Sequence, residues 1–339
     1  MIRTLAIVLL VGGTVEHLPS PVQARATATA GADRASTEAL VRRYYEIAAR
    51  GDLEMLTQVV SPDLVIHTAP PGEGSSLESL RHTLATARAG LPDFAFRIDD
   101  LIVAGDAVAV RTTVQGTHLG EFFGAPPTGK WLQIAAVDIW SVEDDKLAEN
   151  WHLEDILGVM EQLAAPSTAE SGAMPTPANP VVIQLSPDSE YGAAASAASG
   201  EASTELVQRF RRALFGRGDL GAADGLLAPG FVWHGTASMG VAGLQEHAIA
   251  LRAAFPDLTP TVDRVVAEGD RVAVLWTLSG THLGDYREVP ATGNGVSTSG
   301  IDIYRIENGK IAEAWTVGDD LGLLMQLGAY RRGDGDPAA

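Results

Sequence analysis

Histidine and aspartate are the residues of this chain best suited to moving protons, and they recur at matched places. Eight histidines are present, of which His17 lies in an N-terminal apolar segment. Among the rest, His67 answers to His234, His82 to His247 and His118 to His282. His152 stands alone, its counterpart being Thr316. An imidazole titrates near neutrality and can give or take a proton. Asp138 and Asp302 interrupt segments that otherwise read as β-strand, where aspartate is disfavoured. Their same-face neighbours are Ala136 and Trp140, or Gly300 and Tyr304. A carboxylate there is either hydrogen-bonded in the core or faces a polar pocket. Burial would raise its pKa and suit it to acid–base work. The candidate catalytic residues are therefore His152, Asp138, His67, Asp302 and His234. Candidates for ligand contact are His118, His282, Trp140, Tyr304, Asp155 and Asp319.

Each candidate has a plainer alternative. His67 and His234 end a β segment and can be satisfied there. His118 and His282 sit in glycine-flanked turns, where a histidine braces backbone. Asp155 and Asp319 follow a strand and suit a cap or turn, and His82 and His247 lie on a helix surface. His152 directly follows Trp151, so strand alternation puts the two on opposite faces. If Trp151 packs beneath the helices or between the two halves, His152 faces the other way. Neither His-x-x-x-His nor His-x-Glu spacing is read as a metal motif, so a metal would need ligands converging from separate strands, and no metal site is expected. With zero cysteines, thiolate chemistry and Cys-ligated zinc are excluded. Neither a nucleotide-binding glycine loop nor Gly-x-Ser-x-Gly occurs.

The elements that must position these residues are legible because the chain repeats itself. Gly116-Thr117-His118-Leu119-Gly120 returns unchanged as Gly280-Thr281-His282-Leu283-Gly284, an offset of 164. The same offset relates Pro126-Pro127-Thr128-Gly129 to Pro290-Ala291-Thr292-Gly293 and Asp138-Ile139-Trp140 to Asp302-Ile303-Tyr304. Upstream the offset is 167, as for Gly51-Asp52-Leu53 and Gly218-Asp219-Leu220, so three residues are missing from the second copy between His234 and Pro256. Two copies of this length are a domain duplication. Each opens with an amphipathic helix, carried by Leu40, Tyr44 and Ile47 or by Leu206, Phe210 and Leu214. A short helix, a β segment ending at His67 or His234, and a helix stopped at Pro92 or Pro256 follow. The period then changes to two. Residues 94–104, 106–118, 130–143 and 146–154 read as strands, with Gly105-Asp106 and Asn308-Gly309 as hairpin turns. A last helix near Leu157–Leu163 packs back on the sheet. Helices followed by an antiparallel meander give an α+β fold, with one curved sheet wrapped by N-terminal helices around a pocket.

The assigned organisation is a signal peptide at 1–24, a lead-in at 25–34, domain 1 at 35–164, an Ala/Ser/Pro-rich linker at 165–202, domain 2 at 203–330 and a tail at 331–339. Arg3, the apolar run Leu5–Val11 and Val22-Gln23-Ala24 have the order of an export signal, too short to span a membrane. A secreted or periplasmic protein starting near Arg25 is expected, with no membrane partner. The net charge of −19 is shared evenly by the halves and leaves no basic face, which excludes nucleic acid as a partner.

These motifs resemble the SnoaL-like polyketide cyclases, or ester cyclases, of the nuclear transport factor 2-like superfamily. In the second copy the resemblance rests on Phe255-Pro256-Asp257, Gly280-Thr281-His282-Leu283-Gly284, Pro290 with Thr292-Gly293, Asp302-Ile303-Tyr304-Arg305, Asn308-Gly309-Lys310-Ile311, Glu313 with Trp315, and Asp319 with Gln326-Leu327-Gly328. In the first it rests on Pro126-Pro127-Thr128-Gly129-Lys130 and Gln162-Leu163. The resemblance implies two α+β cones, each with a deep apolar pocket. It also implies cofactor-free acid–base chemistry, an aldol-type cyclisation or an isomerisation, on a small apolar carbonyl compound. The other reading it leaves is a non-catalytic protein that binds a small hydrophobic ligand. Such domains often pair through their sheets, so an intramolecular pseudo-dimer of the two copies or a homodimer is expected. In the family's cyclases an Asp stands at the position of His152 and Thr316, a His at that of Asp138 and Asp302, and an Asn at that of His67 and His234. His152, oriented by Asp138, would then be the base. Thr316 cannot shuttle protons, which favours the first copy as the catalytic one.

Overall fold

The computed structural model describes residues 34–68, 74–165 and 197–330. The proposed signal segment, most of the linker and the tail lie outside them. In the first half, α1 (Arg34–Arg50), a short 3-10 turn (Leu53–Gln58), β1 (Val60–Ile66) and α2 (Leu77–Gly90) precede β2 (Ala95–Ala104), β3 (Ala107–Thr117), β4 (Trp131–Glu143), β5 (Lys146–Glu154) and α3 (Ile156–Ala164). The second half repeats the order. It begins with α4 (Ala197–Arg211), which runs into a wider π turn (Arg212–Arg217), and α5 (Leu220–Asp224). Next come β6 (Leu227–His234), α6 (Val241–Ala254), β7 (Thr259–Glu268), β8 (Arg271–Thr281), β9 (Gly295–Glu307), β10 (Lys310–Gly318) and α7 (Asp320–Gln326). Both opening helices start before the compositional boundaries, at Arg34 and Ala197. The alanine-rich stretch that reads as linker favours helix as soon as it has a sheet to pack on. α2 and α6 keep the 164 offset. His247 therefore corresponds to Thr83 and His82 to Glu246, so these two histidines are not a matched pair, and the deletion lies before Val241.

Each half holds a five-stranded sheet, ordered β1-β5-β4-β3-β2 and β6-β10-β9-β8-β7. The meander is antiparallel as expected. β1 and β6, however, join its edge parallel to β5 and β10, because a helix carries the chain from each back to the far edge. The register sets Asp138 opposite His152 and Ala136 opposite Glu154, and in the second half Asp302 opposite Thr316 and Gly300 opposite Gly318. Directly opposed residues share a face, so Ala136, Asp138, His152 and Glu154 all point to one side. That side carries the helices: Val41, Tyr44, Tyr45 and Ile47 of α1 pack with Ile134, Ala136 and Trp140 in one buried cluster.

The other faces of the two sheets meet each other. Ile102, Ala109, Val137 and Ile139 pack with Val266, Ala273, Ile301 and Ile303 in a separate buried cluster. Trp151 and Leu153 border it, so Trp151 lies between the halves and His152 faces the cone interior. Polar contacts tie the seam. Arg271 Nε donates to Asp100 Oδ1 at 3.3 Å, and Glu268 accepts from the Val103 amide at 3.1 Å. Arg264 lies 3.9 Å from the Trp151 ring centre, and Arg111 lies 4.6 Å from that of Trp315.

The Gly-Thr-His-Leu-Gly repeat clasps the end of α2 or α6. Leu119 and Gly120 amides both donate to the Gly90 carbonyl at 3.0 Å. A Cβ on Gly120 would stand 2.0 Å from the Ala89 oxygen, and one on Gly284 2.4 Å from the Ala253 oxygen. Gly120→Ala is expected to cost about 1–3 kcal/mol through forced backbone displacement, read as a lower urea midpoint with an unchanged slope.

Candidate functional site

In the first half the interior face of β4 and β5 carries a hydrogen-bonded chain of three ionisable groups. Asp138 Oδ1 lies 2.9 Å from His152 Nδ1, and His152 Nε2 lies 2.9 Å from Glu154 Oε1. Behind them Tyr45 donates to Asp138 Oδ2 at 2.6 Å and the Asn150 amide to Oδ1 at 3.0 Å. Asp138 is buried, whereas the His152 side chain keeps 35% of its surface open and Glu154 28%. The chain thus runs from the core outward into the cone.

These contacts decide the charges. Burial alone would push the Asp138 pKa up, as the sequence suggests. The His152 charge and the hydrogen bonds from His152, Tyr45 and Asn150 outweigh it, and the carboxyl falls below its usual range. Burial alone would lower the His152 pKa, but the Asp138 charge and hydrogen bonds to Asp138 and Glu154 hold it well above the ordinary histidine value. At neutral pH Asp138 is a carboxylate and His152 an imidazolium. His152 is therefore not a free base, since both of its N–H groups are occupied.

A pH dependence of stability follows. The raised His152 pKa makes its contribution complete below its unfolded value, about pH 6.5, and lost as pH rises through the folded value. The lowered Asp138 pKa makes its contribution present above the unfolded value of about 4 and lost as pH falls through the folded one. The pair thus contributes fully from about pH 4 to 6.5. Wild-type stability to urea should fall between pH 6.5 and 9 more steeply than that of His152→Gln.

His67 and His234 do not join these groups. The parallel register brings Ile66 beside Asn150, so His67 sits over Trp151 on the opposite face, with ring centres 4.2 Å apart and planes 4° from parallel. Its Nε2 meets Glu149 at 2.6 Å. His234 stacks on Trp315 and meets Glu313 in the same way. Both belong to the rim of the seam. His118 and His282 are fully buried and bond Thr128 and Thr292 through Nδ1 at 2.9 and 3.0 Å, joining the glycine-flanked turn to the Pro-x-Thr-Gly turn. Asp155 and Asp319 cap α3 and α7, accepting from the Gly158 and Gly322 amides. Trp140 is buried against Tyr44.

The second half keeps Asp302 but surrounds it differently. Arg211 of α4 forms a buried ion pair with it, Tyr304 donates to Oδ2 at 2.7 Å and Thr316 to Oδ1 at 2.7 Å. Where the first half has His152 and Glu154, this half has Thr316 and Gly318. Trp276 fills the vacated side, and a Cβ on Gly300 would stand 1.9 Å from its ring. A cavity of about 270 Å³ lies above, lined by Arg211, Phe215, Trp233, Leu251, Phe255, Trp276 and Tyr286 among others. His247, expected at the surface or rim, and Asp155 of the first half also border it.

Sequence reading missed Glu154, Tyr45 and Arg211. Glu154 was detectable as His152-Leu153-Glu154, a His-x-Glu that the sequence reading passes over, whose spacing on a strand shares one face. Arg211 was detectable because it occupies the apolar stripe Val207, Arg211, Leu214, where a cation requires a buried carboxylate. Among the described residues no three His, Asp or Glu side chains form a metal-binding group, and no helix is long and apolar enough to cross a membrane.

The comparisons with known proteins agree with the duplication. The profile of the SnoaL-like polyketide cyclase family matches residues 38–163 and again 205–327. Similar solved structures include AclR from Streptomyces galilaeus, at 30% identity and a TM-score of 0.37, covering 39% of this chain and 84% of that one. IdmH from Streptomyces antibioticus is 31% identical with a TM-score of 0.35, covering 38% of this chain and 98% of its own. TsrD from Streptomyces laurentii is 28% identical with a TM-score of 0.37, covering 40% and 99%. No curated protein matches the chain. With both cones matched in order, this chain belongs to the SnoaL-like polyketide cyclase family and carries two tandem copies of its domain.

Proposed function

We propose that the first half catalyses cofactor-free acid–base chemistry, an aldol-type ring closure or an isomerisation, on a small apolar carbonyl compound. The observation that carries this is the Asp138–His152–Glu154 chain on the interior face of the cone. Glu154 is its last member, and its Oε2 is the one carboxylate oxygen of that chain that accepts no hydrogen bond among the described residues. In this reading Glu154 takes a proton from a carbon between two carbonyls, and the C–H electron pair becomes an enolate. The adjacent imidazolium offsets the charge that develops on the oxygen. The enolate carbon attacks a second carbonyl, and the resulting alkoxide recovers the proton from Glu154. Nothing is consumed, so no cofactor is needed. Asp138, Tyr45 and Asn150 do not touch the substrate; they hold His152 charged and in place. The test is proton-to-deuterium exchange at the central carbon of a soluble 1,3-dicarbonyl compound in heavy water, followed by NMR. Exchange above buffer that requires Glu154 supports the reading; exchange no faster than buffer sinks it.

Export belongs to the same proposal. Its support is the charged start, the apolar run and the small-residue pair before Arg25. The mature N-terminus found by mass spectrometry of the secreted or periplasmic fraction should then lie near Arg25.

A further inference from the structure

The cavity of the second half lacks the His152–Glu154 pair of the first, although His247 borders it, and its buried wall carries a cation. We infer that it is a separate receptor site for an uncharged, largely apolar ring compound bearing one carbonyl oxygen, which Arg211 receives. Arg211 is 4% exposed. Its Nη1 donates to both Asp302 and the Tyr304 hydroxyl oxygen. Its Nε and second amino nitrogen have no acceptor among the described residues. A guanidinium N–H at the wall of a largely apolar cavity is a donor that a ligand oxygen can meet, and the buried Trp276 Nε1 beside it also has no partner among the described residues.

Charge selects which oxygen. Arg211 is matched by Asp302, and Arg287, the other arginine lining the cavity, is matched by Asp320 at 2.9 Å. Asp155 adds a further carboxylate to the lining. There is no surplus positive charge to receive an anion, and a ligand carboxylate would meet Asp302 at the base and two carboxylates beyond it. A ketone, ester or lactone oxygen completes the guanidinium without adding charge. Phe215 and Trp276, whose rings lie 5.3 and 5.4 Å from the guanidinium carbon, offer flat walls beside it. The first half has no counterpart of this wall. Tyr45 stands at the position of Arg211, each bonding the strand aspartate of its half, with Thr112 at that of Trp276 and Ala49 at that of Phe215. The inference is thus independent of the chemistry proposed for the first half.

The experiment is calorimetric titration of the whole chain with three matched probes, acetylnaphthalene, ethylnaphthalene and naphthoate. Acetylnaphthalene should bind about tenfold or more tighter than either of the others, as a hydrogen bond to a charged donor requires. In Arg211→Met/Asp302→Asn, which removes both charges together, that preference should vanish. Thr298 also lines the cavity, so Thr298→Trp, which fills it, should weaken all three probes while exchange activity of the first half persists. Equal binding of ethylnaphthalene, preference for naphthoate, no binding of any probe, or indifference to Thr298→Trp would each overturn the inference.

Discussion

Glu154→Gln should lower the rate of carbon-proton exchange by about 10²–10⁴-fold, the range of a lost general base. The substitution keeps the size of the side chain and a hydrogen-bond acceptor for His152 Nε2, so the fold and the imidazole position survive. It removes only the basicity. His152→Gln should be nearly as damaging, because it deletes the charge beside the developing enolate and unmoors Glu154. The double variant should be little worse than the more damaged single one, since groups acting as a unit lose their effect together. Thr316→Ala, at the matched place in the second half, should leave exchange unchanged. That contrast separates the two cones. Equal losses in both variants, or none in either, would argue against the assignment.

Arg211→Ala should cost about 3–5 kcal/mol of stability, because it leaves Asp302 charged and buried without its cation. Asp302 is 1% exposed and cannot relax into water. Tyr304 and Thr316 still donate to it, but neutral donors do not replace a full charge. Urea denaturation measures the loss. Arg211→Met/Asp302→Asn should recover most of it, since removing both members of a buried pair is often close to neutral. If the single and double variants were equally destabilised, the loss would lie in helix packing and not in the ion pair. Tyr45→Phe in the first half should cost far less, about 1 kcal/mol, because His152 and Asn150 continue to hold Asp138.

Much of this was legible in the residues. The repeat offset, the period-two strands and the hairpin turns set the meander almost to the residue. Asp138 and Asp302 stood out because a carboxylate inside a strand needs a reason. The reason differed between the halves, since the partners arrive from helices whose rotation depends on packing. His67 was misplaced because a parallel edge pair has no turn to fix its register, and the phase that stacks it on Trp151 is set by tertiary contact alone. His152 was correctly turned inward by its alternation with Trp151. Its charge was not legible, because that depends on Glu154 and Asp138 both lying within hydrogen-bond reach. The cavity in the second half was hidden for a similar reason. Its Trp276 wall needs the room that Gly300 leaves, and a glycine inside a strand announces a close approach without naming what approaches.

The chain Asp138–His152–Glu154 can be tested directly by following the His152 ring protons by NMR as pH is raised in the folded protein. Titration well above the ordinary histidine value is expected, falling back toward that value in Asp138→Asn. An ordinary or lowered midpoint in the wild type, unmoved by Asp138→Asn, would contradict it.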